Sequence, residues 1–347
     1  MFGNTSTWSK FIKYSQAMIN GHGDDLYKYS GIKMNFSSNI YTGTDLSPLY
    51  THLSTCMQVV SSYPEPSGAS LEAMIAHECG IDTSEVLVTS GAVDAIYLIA
   101  QSFRSLGTCK VMTPTFSEYE DACRVFGYQE CDDATLCWLC NPNNPTGSVM
   151  EPAQVLDLAK RYHLLIVDQS YEDYTLEPLL QPADVVRRDN IILLHSMTKR
   201  YAVPGLRLGY VTASAPIIRQ LREQYRPWAI NALSLEAGKW LVARKKTAIP
   251  NLPEYLAESQ RLRSMLNAIE GIEAHETMTN FFLCTIAQAT AAELKEFLAH
   301  EHGILIRDAS NFTGLTPHHF RIAAQSPGEN EALVDAIKRF TSLWKNS

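Results

Sequence analysis

IILLHSMTKRYAVPGLRLGYVT, residues Ile191 to Thr212, holds two short apolar runs, IILLH and LGYVT, on either side of a turn-rich stretch that carries Lys199. Such brief runs without helical periodicity read as strands buried on both faces. The same punctuation repeats outward. LLIVD (Leu164 to Asp168), TLCWLC (ending at Cys140), a run near Lys110 to Thr113 and VLVT (Val86 to Thr89) are separated by helical spacings over 70–79, 92–103, 118–126 and 152–163. Strands alternating with helices predict an α/β fold, with a mainly parallel central sheet sandwiched by helices. Past a helical region over 217–268, broken at Pro227 and Pro250, the pattern changes. FFLCTI, a helix over 291–302, GILIRD, HFRIAA and a last helix over 329–344 predict a smaller α+β unit. The organisation expected is a large α/β domain over 51–244 and a small α+β domain built from both chain ends, 1–50 and 245–347.

Composition narrows the function classes. The 347 residues suffice for two domains at about 100–200 residues each. With 46% apolar and 19% charged residues, the chain is neither a disordered nor a fibrous one. Its formal charge is −8, and no basic block is longer than Arg244-Lys245-Lys246, which argues against a nucleic-acid or anionic-membrane partner. The first twenty residues lack the apolar core of a signal peptide, and no run is long enough to span a bilayer, so the expected location is cytoplasmic. Eight cysteines in such a chain read as buried thiols. Only Cys137 and Cys140 have redox or zinc spacing. On a strand, positions three apart face opposite sides, so these sulfurs do not share an ion. His318-His319 lacks carboxylate or cysteine partners at ligand spacing, and His195 reads as a structural residue at a strand end. No metal site is expected.

Four segments carry chemistry. In SMTKRYAVPGLRLGY, Lys199 follows a buried strand, Ser196 precedes it and Arg207 sits between Gly205 and Gly209. A lysine at a sheet mouth can form an imine with a carbonyl, and a hydroxyl with a guanidinium can hold a phosphate. LCNPNNPTG places Asn144 in a rigid turn at the carboxyl end of a strand, where open α/β sheets bind ligands. In VDQSYEDY, Asp168 ends a buried strand with Tyr171 three residues on, and a carboxylate there needs a cation or donors. In TSGAVDAI, Ser90, Gly91 and Ala92 open a helix directly after a strand, where backbone N–H groups and the helix dipole attract phosphate. Alone, each segment has an ordinary reading as a turn, a cap or a paired ion. Together, in this order, they describe a pocket for pyridoxal 5′-phosphate.

This constellation resembles the fold-type-I aminotransferase superfamily, from SSNI near residue 39 to FRIA near residue 322. The resemblance implies the following roles. Lys199 is the imine-forming lysine and proton carrier, and Asp168 keeps the pyridine nitrogen protonated. Asn144 and Tyr171 bond the ring oxygen. Ser90, Gly91, Ala92, Ser196 and Arg207 hold the phosphate, and Phe116 in TPTFSEYE stacks on the ring. Tyr63 in SYPEP matches the tyrosine that reaches the neighbouring subunit's cofactor, which implies a homodimer. Relatives usually read Asp-Glu-Ala-Tyr where this chain has Asp168-Gln169-Ser170-Tyr171, and the stretch over 126–133 is shorter than in many of them.

Two subgroups compete for the reaction. Arg307 in ILIRD and Arg321 in FRIA are similar to the anion-holding arginines of histidinol-phosphate aminotransferases. HGDD, NFSSNI, TPTFSEYE, RPWAINALSLEAG and ILIRDASNFTGL resemble the threonine-phosphate decarboxylases of cobalamin biosynthesis, and ASNFTGL and PWAINAL tip the resemblance that way. The implied substrate is a phosphorylated amino acid or amine. If Arg321 and Asn39 hold its carboxylate near the ring plane, the Cα–H bond is activated; if the carboxylate stands out of plane, carbon dioxide leaves. His22 in GHGDD is a candidate contact to the substrate phosphate, or a solvated turn residue. A non-catalytic pyridoxal-phosphate-binding regulator is the reading from another class. Such regulators usually carry a DNA-binding module, for which this sequence has no basic recognition helix.

Overall fold

Six of the apolar runs and one short polar edge strand form one sheet in the computed structural model, which describes residues 25–344. They are β1 (Val86–Thr89), β2 (Thr108–Val111), β3 (Gln129–Glu130), β4 (Leu136–Cys140), β5 (Leu164–Asp168), β6 (Ile191–Ser196) and β7 (Gly209–Ala213). Their spatial order is β1-β7-β6-β5-β4-β2-β3. Strand β7 is antiparallel to both neighbours, and the other pairs are parallel. β4, β5 and β6 are buried at every position, which is why they read as unbroken apolar runs rather than as alternations.

Alternate residues of these strands feed two different cores. Cys137, Leu139, Leu165, Val167 and Leu193 pack under the helix Pro152–Ala159. Trp138, Cys140, Ile166, Ile192 and Leu194 pack under the helices Ala92–Ser102, Glu118–Val125 and Ala215–Gln224. Cys137 and Cys140 therefore lie on opposite faces, as the strand period requires. The helix Pro152–Ala159 starts on a Glu151–Gln154 capping box with proline in its first turn, and it ends earlier than the apolar spacing suggests.

A second, antiparallel sheet contains β8 (Ile272–Ala274), β9 (Phe281–Ile286), β10 (Arg307–Asp308) and β11 (His319–Ala323), in the order β10-β11-β9-β8. GILIRD is not one strand. Ile304–Leu305 pairs in parallel with Met34–Asn35, and after Ile306 the chain joins the antiparallel sheet at Arg307. The expected helix over 291–302 is α-helical only over Ala291–Phe297. It continues as a π-turn, Leu298–His302, that stops at Gly303 with φ 64°. Phe36 is fully buried in the same core as Phe281, Phe320 and Ile322, with Met34 packed against it, so residues 34–36 are part of this layer. Among the described residues, no helix is long and apolar enough to cross a membrane.

Candidate active site

The carboxyl ends of β4, β5 and β6 open into a cavity of about 800 Å³, closed on the far side by Arg307, Phe312 and Arg321 of the second sheet layer. This is where an open α/β sheet presents its ligand site. Asp168, the last residue of β5, is 3% exposed. One carboxylate oxygen accepts from the Tyr119 hydroxyl at 2.7 Å and the other from the Ser170 N–H at 2.8 Å. Burial pushes its pKa up, and these donors pull it back. Among the described residues no cation pairs with it. A buried carboxylate that faces a cavity with donors but no counter-ion fits a protonated heterocycle.

Lys199 lies in the one-turn helix Met197–Arg200 that begins where β6 ends. Its Nζ donates to the Ser38 carbonyl at 2.8 Å and sits 5.6 Å from the centre of the Tyr171 ring. The backbone carbonyl of Lys199 accepts from the Tyr174 hydroxyl at 3.1 Å, which fixes the turn from below. Burial pushes the Tyr171 hydroxyl up to about 12. Asn144, held in the turn after β4, accepts a hydrogen bond from Arg321 through Oδ1, which leaves its amide N–H group for the cavity. Arg321 also donates to the Ser37 carbonyl. Arg307 donates to Asn311 Oδ1 at 2.9 Å and lies 5.5 Å from the Phe312 ring centre. Phe116 lines the cavity and meets Tyr119 edge-on at 5.8 Å.

An anion cradle closes the other end. Arg207, in the left-handed region at φ 52°, reaches across to Gly91, where a Cβ would stand 2.7 Å from its Nη2. Ser196, Thr198 and Ala92 line the cavity beside it. The N–H groups of Ser90 and Gly91 are directed elsewhere, to Asp94 Oδ2 at 2.9 Å and to the Thr89 carbonyl at 2.8 Å. The helix donors that face the cavity are those of Ala92 and Val93, the first residues of Ala92–Ser102. Gly209 must lack a side chain, because a Cβ there would lie 2.9 Å from the Ala92 nitrogen.

Four expected residues are not in the cavity wall. Ser90 and Gly91 stand behind Ala92 in the cradle. Asn39 is fully buried at φ 55°, and its amide donates to the Tyr171 hydroxyl at 3.4 Å, so its neighbours Ser37 and Ser38 form the wall instead. Tyr63 is 86% exposed and packs against Trp228 at 5.4 Å. His22 lies outside the described residues. Sequence reasoning missed Tyr119, the Ser38 carbonyl, Thr198 and Val93. It also missed Glu172, whose carboxylate meets His195 Nδ1 at 3.0 Å. His195 is buried in β6, bonds Thr212 at 3.1 Å and stacks on Tyr210 at 4.4 Å. Tyr119 was within TPTFSEYE, one helical turn from Phe116, a spacing that could have flagged it.

Comparison with known proteins gives the same picture. Residues 128–337 match the family model for aminotransferase class I and II. A protein of Caldanaerobacter subterraneus subsp. tengcongensis, provisionally named a threonine-phosphate decarboxylase, is 30% identical over 91% of this chain and 93% of its own. A histidinol-phosphate aminotransferase from the same organism is 28% identical over 82% of this chain and 85% of its own. The crystal structure of L-threonine-O-3-phosphate decarboxylase from Porphyromonas gingivalis superposes with a TM-score of 0.86 and 34% identity, covering 89% of this chain and 100% of that one.

Proposed function

We propose a function from the premise that the chain belongs to the aminotransferase class I and II family of pyridoxal-phosphate-dependent enzymes: it is an L-threonine-O-3-phosphate decarboxylase. The observation that carries a doubly anionic substrate is the pair of buried guanidinium groups, Arg307 and Arg321, facing the same cavity as Lys199 and Asp168. Two fixed cations suit a substrate with two anionic ends, here a phosphate and a carboxylate. The 34% identity to the Porphyromonas gingivalis decarboxylase supports the choice of that substrate.

Pyridoxal phosphate, when bound, supplies a carbonyl for the substrate amine and a ring that accepts the electron pair freed at the substrate carbon. The residues would divide the work as follows. Arg207, Ser196, Thr198 and the helix start at Ala92 hold the phosphate, with Ser90 and Gly91 shaping the turn behind. Asp168 holds a proton at the ring nitrogen. The Tyr171 hydroxyl and the Asn144 amide donate to the ring oxygen, and the Phe116 ring covers the ring face. Lys199, steered by the Ser38 carbonyl, would supply the amine that holds the cofactor's carbonyl carbon and would afterwards carry a proton to the substrate carbon. Arg307 would take the substrate phosphate, and Arg321 would orient the carboxylate, an orientation that selects which bond at the substrate carbon is weakened.

The functional unit proposed is a cytoplasmic homodimer in which Tyr63 reaches the neighbouring site. The exposure of Tyr63 and Trp228, and the eight unbonded cysteines, support this assignment. The test is to supply the purified protein and its cofactor with L-threonine O-3-phosphate alone, and in parallel with histidinol phosphate plus 2-oxoglutarate. Carbon dioxide released without a keto acid is the expected result. Glutamate formation alone would replace the reading with the aminotransferase one. A yellow protein that turns over neither substrate points to a regulator.

A further inference from the structure

Asp168 is almost fully buried in the cavity wall, and one neighbouring side chain of that wall bears on it directly. The Tyr119 hydroxyl donates to its Oδ2 at 2.7 Å. Tyr119 is 1% exposed, its ring stacks on Trp138 at 5.3 Å with 14° between planes, and it meets Phe116 at 86°. Two aromatic contacts therefore lock the ring, with its hydroxyl between the Asp168 carboxylate and the Cys140 thiol. Ser170 holds the carboxylate from the other side, through its hydroxyl and through its N–H to Oδ1 at 2.8 Å.

We propose that Tyr119 is a positioning residue that aims the Asp168 carboxylate and weakens its hold on the proton it shares with the cofactor's ring nitrogen, so that the proton rests on nitrogen. The inference rests on the cofactor assignment made above. A carboxylate that loses a hydroxyl donor in a dry site becomes a stronger base. The shared proton would then move from nitrogen to Asp168 Oδ2, with no other bond made or broken. The ring would keep its place but draw electrons less strongly. Ser170 shares this task through its hydroxyl and N–H, and no other neighbour of Asp168 takes the place of Tyr119. Cys140 stays a neutral thiol, pushed up to about 12 by burial and by the carboxylate itself. His195 helps only at longer range and is already engaged by Glu172 and Thr212. Tyr171 is turned to Asn39. Burial and the neighbouring charge hold the Tyr119 hydroxyl itself far above its ordinary pKa, so it remains a donor.

The experiment uses Tyr119→Phe, which removes one oxygen and keeps the stack, with Trp138→Phe as a control that disturbs the stack and keeps the hydroxyl. Apoprotein of each is titrated with ¹⁵N-labelled pyridoxal phosphate, and three quantities are read: the dissociation constant, the ring ¹⁵N chemical shift and the apoprotein Tm. The wild type should show a protonated ring nitrogen. Tyr119→Phe should shift the signal toward the unprotonated position and bind the cofactor at least tenfold more weakly, while Trp138→Phe keeps the wild-type shift. An unmoved nitrogen signal and equal affinity in Tyr119→Phe overturn the inference, as does the same displacement in both variants. Failure of the wild type to bind the cofactor would instead remove the assignment on which the inference stands, and the inference with it. Should Tyr119→Phe not fold, ring-labelled tyrosine in the wild-type holoprotein decides the matter. Tyr119 must stay protonated as pH is raised to the limit of the folded state, and its ionisation in the folded protein refutes the proposal.

Discussion

Replacing Gly91 by alanine tests how the anion cradle is built. Gly91 adopts φ 87° and ψ 169°, a backbone region that glycine alone enters cheaply. Forcing alanine there costs on the order of 1–3 kcal/mol. The new Cβ would also meet Arg207 Nη2 at 2.7 Å and Cζ at 3.3 Å. Arg207 is the partner that yields, because its guanidinium ends a flexible chain and its hydrogen bond to the Pro204 carbonyl is 3.2 Å long. Its withdrawal removes a charge-assisted contact to phosphate worth about 1.5–3 kcal/mol, which corresponds to roughly a 10- to 150-fold weaker Kd. The apoprotein Tm should fall by about 1.5–4 °C, from the strain alone. Both quantities are measurable on one preparation, by thermal melts without cofactor and by absorbance titration with it. The decisive comparison adds Arg207→Ala. In that background Gly91→Ala should still lower Tm but should change affinity little. An equal loss of affinity in both backgrounds would refute the idea that the glycine serves to admit Arg207.

Two further outcomes follow from burial. The folded state holds the Asp168 proton more tightly than the unfolded chain does, so that contribution is present below the unfolded value of about 3.9 and is lost as pH rises through the folded one. The apoprotein of Asp168→Asn should therefore gain on the wild type in Tm as pH rises from acid to neutral, and a pH-independent difference would contradict this. At the far edge of the sheet, Glu72 is 1% exposed and accepts from the Val88 N–H at 3.1 Å and from Arg222 at 2.8 Å. Arg222→Ala should cost about 3 kcal/mol in urea denaturation. Adding Glu72→Gln should recover part of that loss.

Most of the sheet was legible because β1, β4, β5, β6 and β7 are buried at every position and so appear as bare apolar runs, with ends at Val86, Thr89, Leu164 and Asp168 where the pattern put them, whereas the polar edge strand β3 gives no such signal. Lys199, Asp168, Tyr171 and Asn144 were legible because their residue types and order together describe one chemistry. What stayed hidden depends on neighbours distant in the chain. Nothing local says that Tyr119 points at a residue 49 positions away, or that Ser38 presents a carbonyl to Lys199. GILIRD looked like one strand because a change of sheet at Ile306 leaves no mark in an apolar run. The turn of the Ser90 and Gly91 N–H groups toward Asp94 and Thr89 stayed hidden because it depends on backbone angles that the sequence does not display.

Ser37 gives its carbonyl to Arg321 across a separation of 284 residues, and Met34 and Asn35 pair with Ile304 and Leu305. On the ribosome these contacts cannot form until the 284 residues between their partners have been made, which at about 5–20 residues per second is a wait of roughly 15–60 s. The wall beside Lys199 is thus translated long before the arginine that seats it. A nascent chain arrested before residue 321 would carry the Lys199 amine on a finished sheet with Ser37 and Ser38 still lacking that anchor.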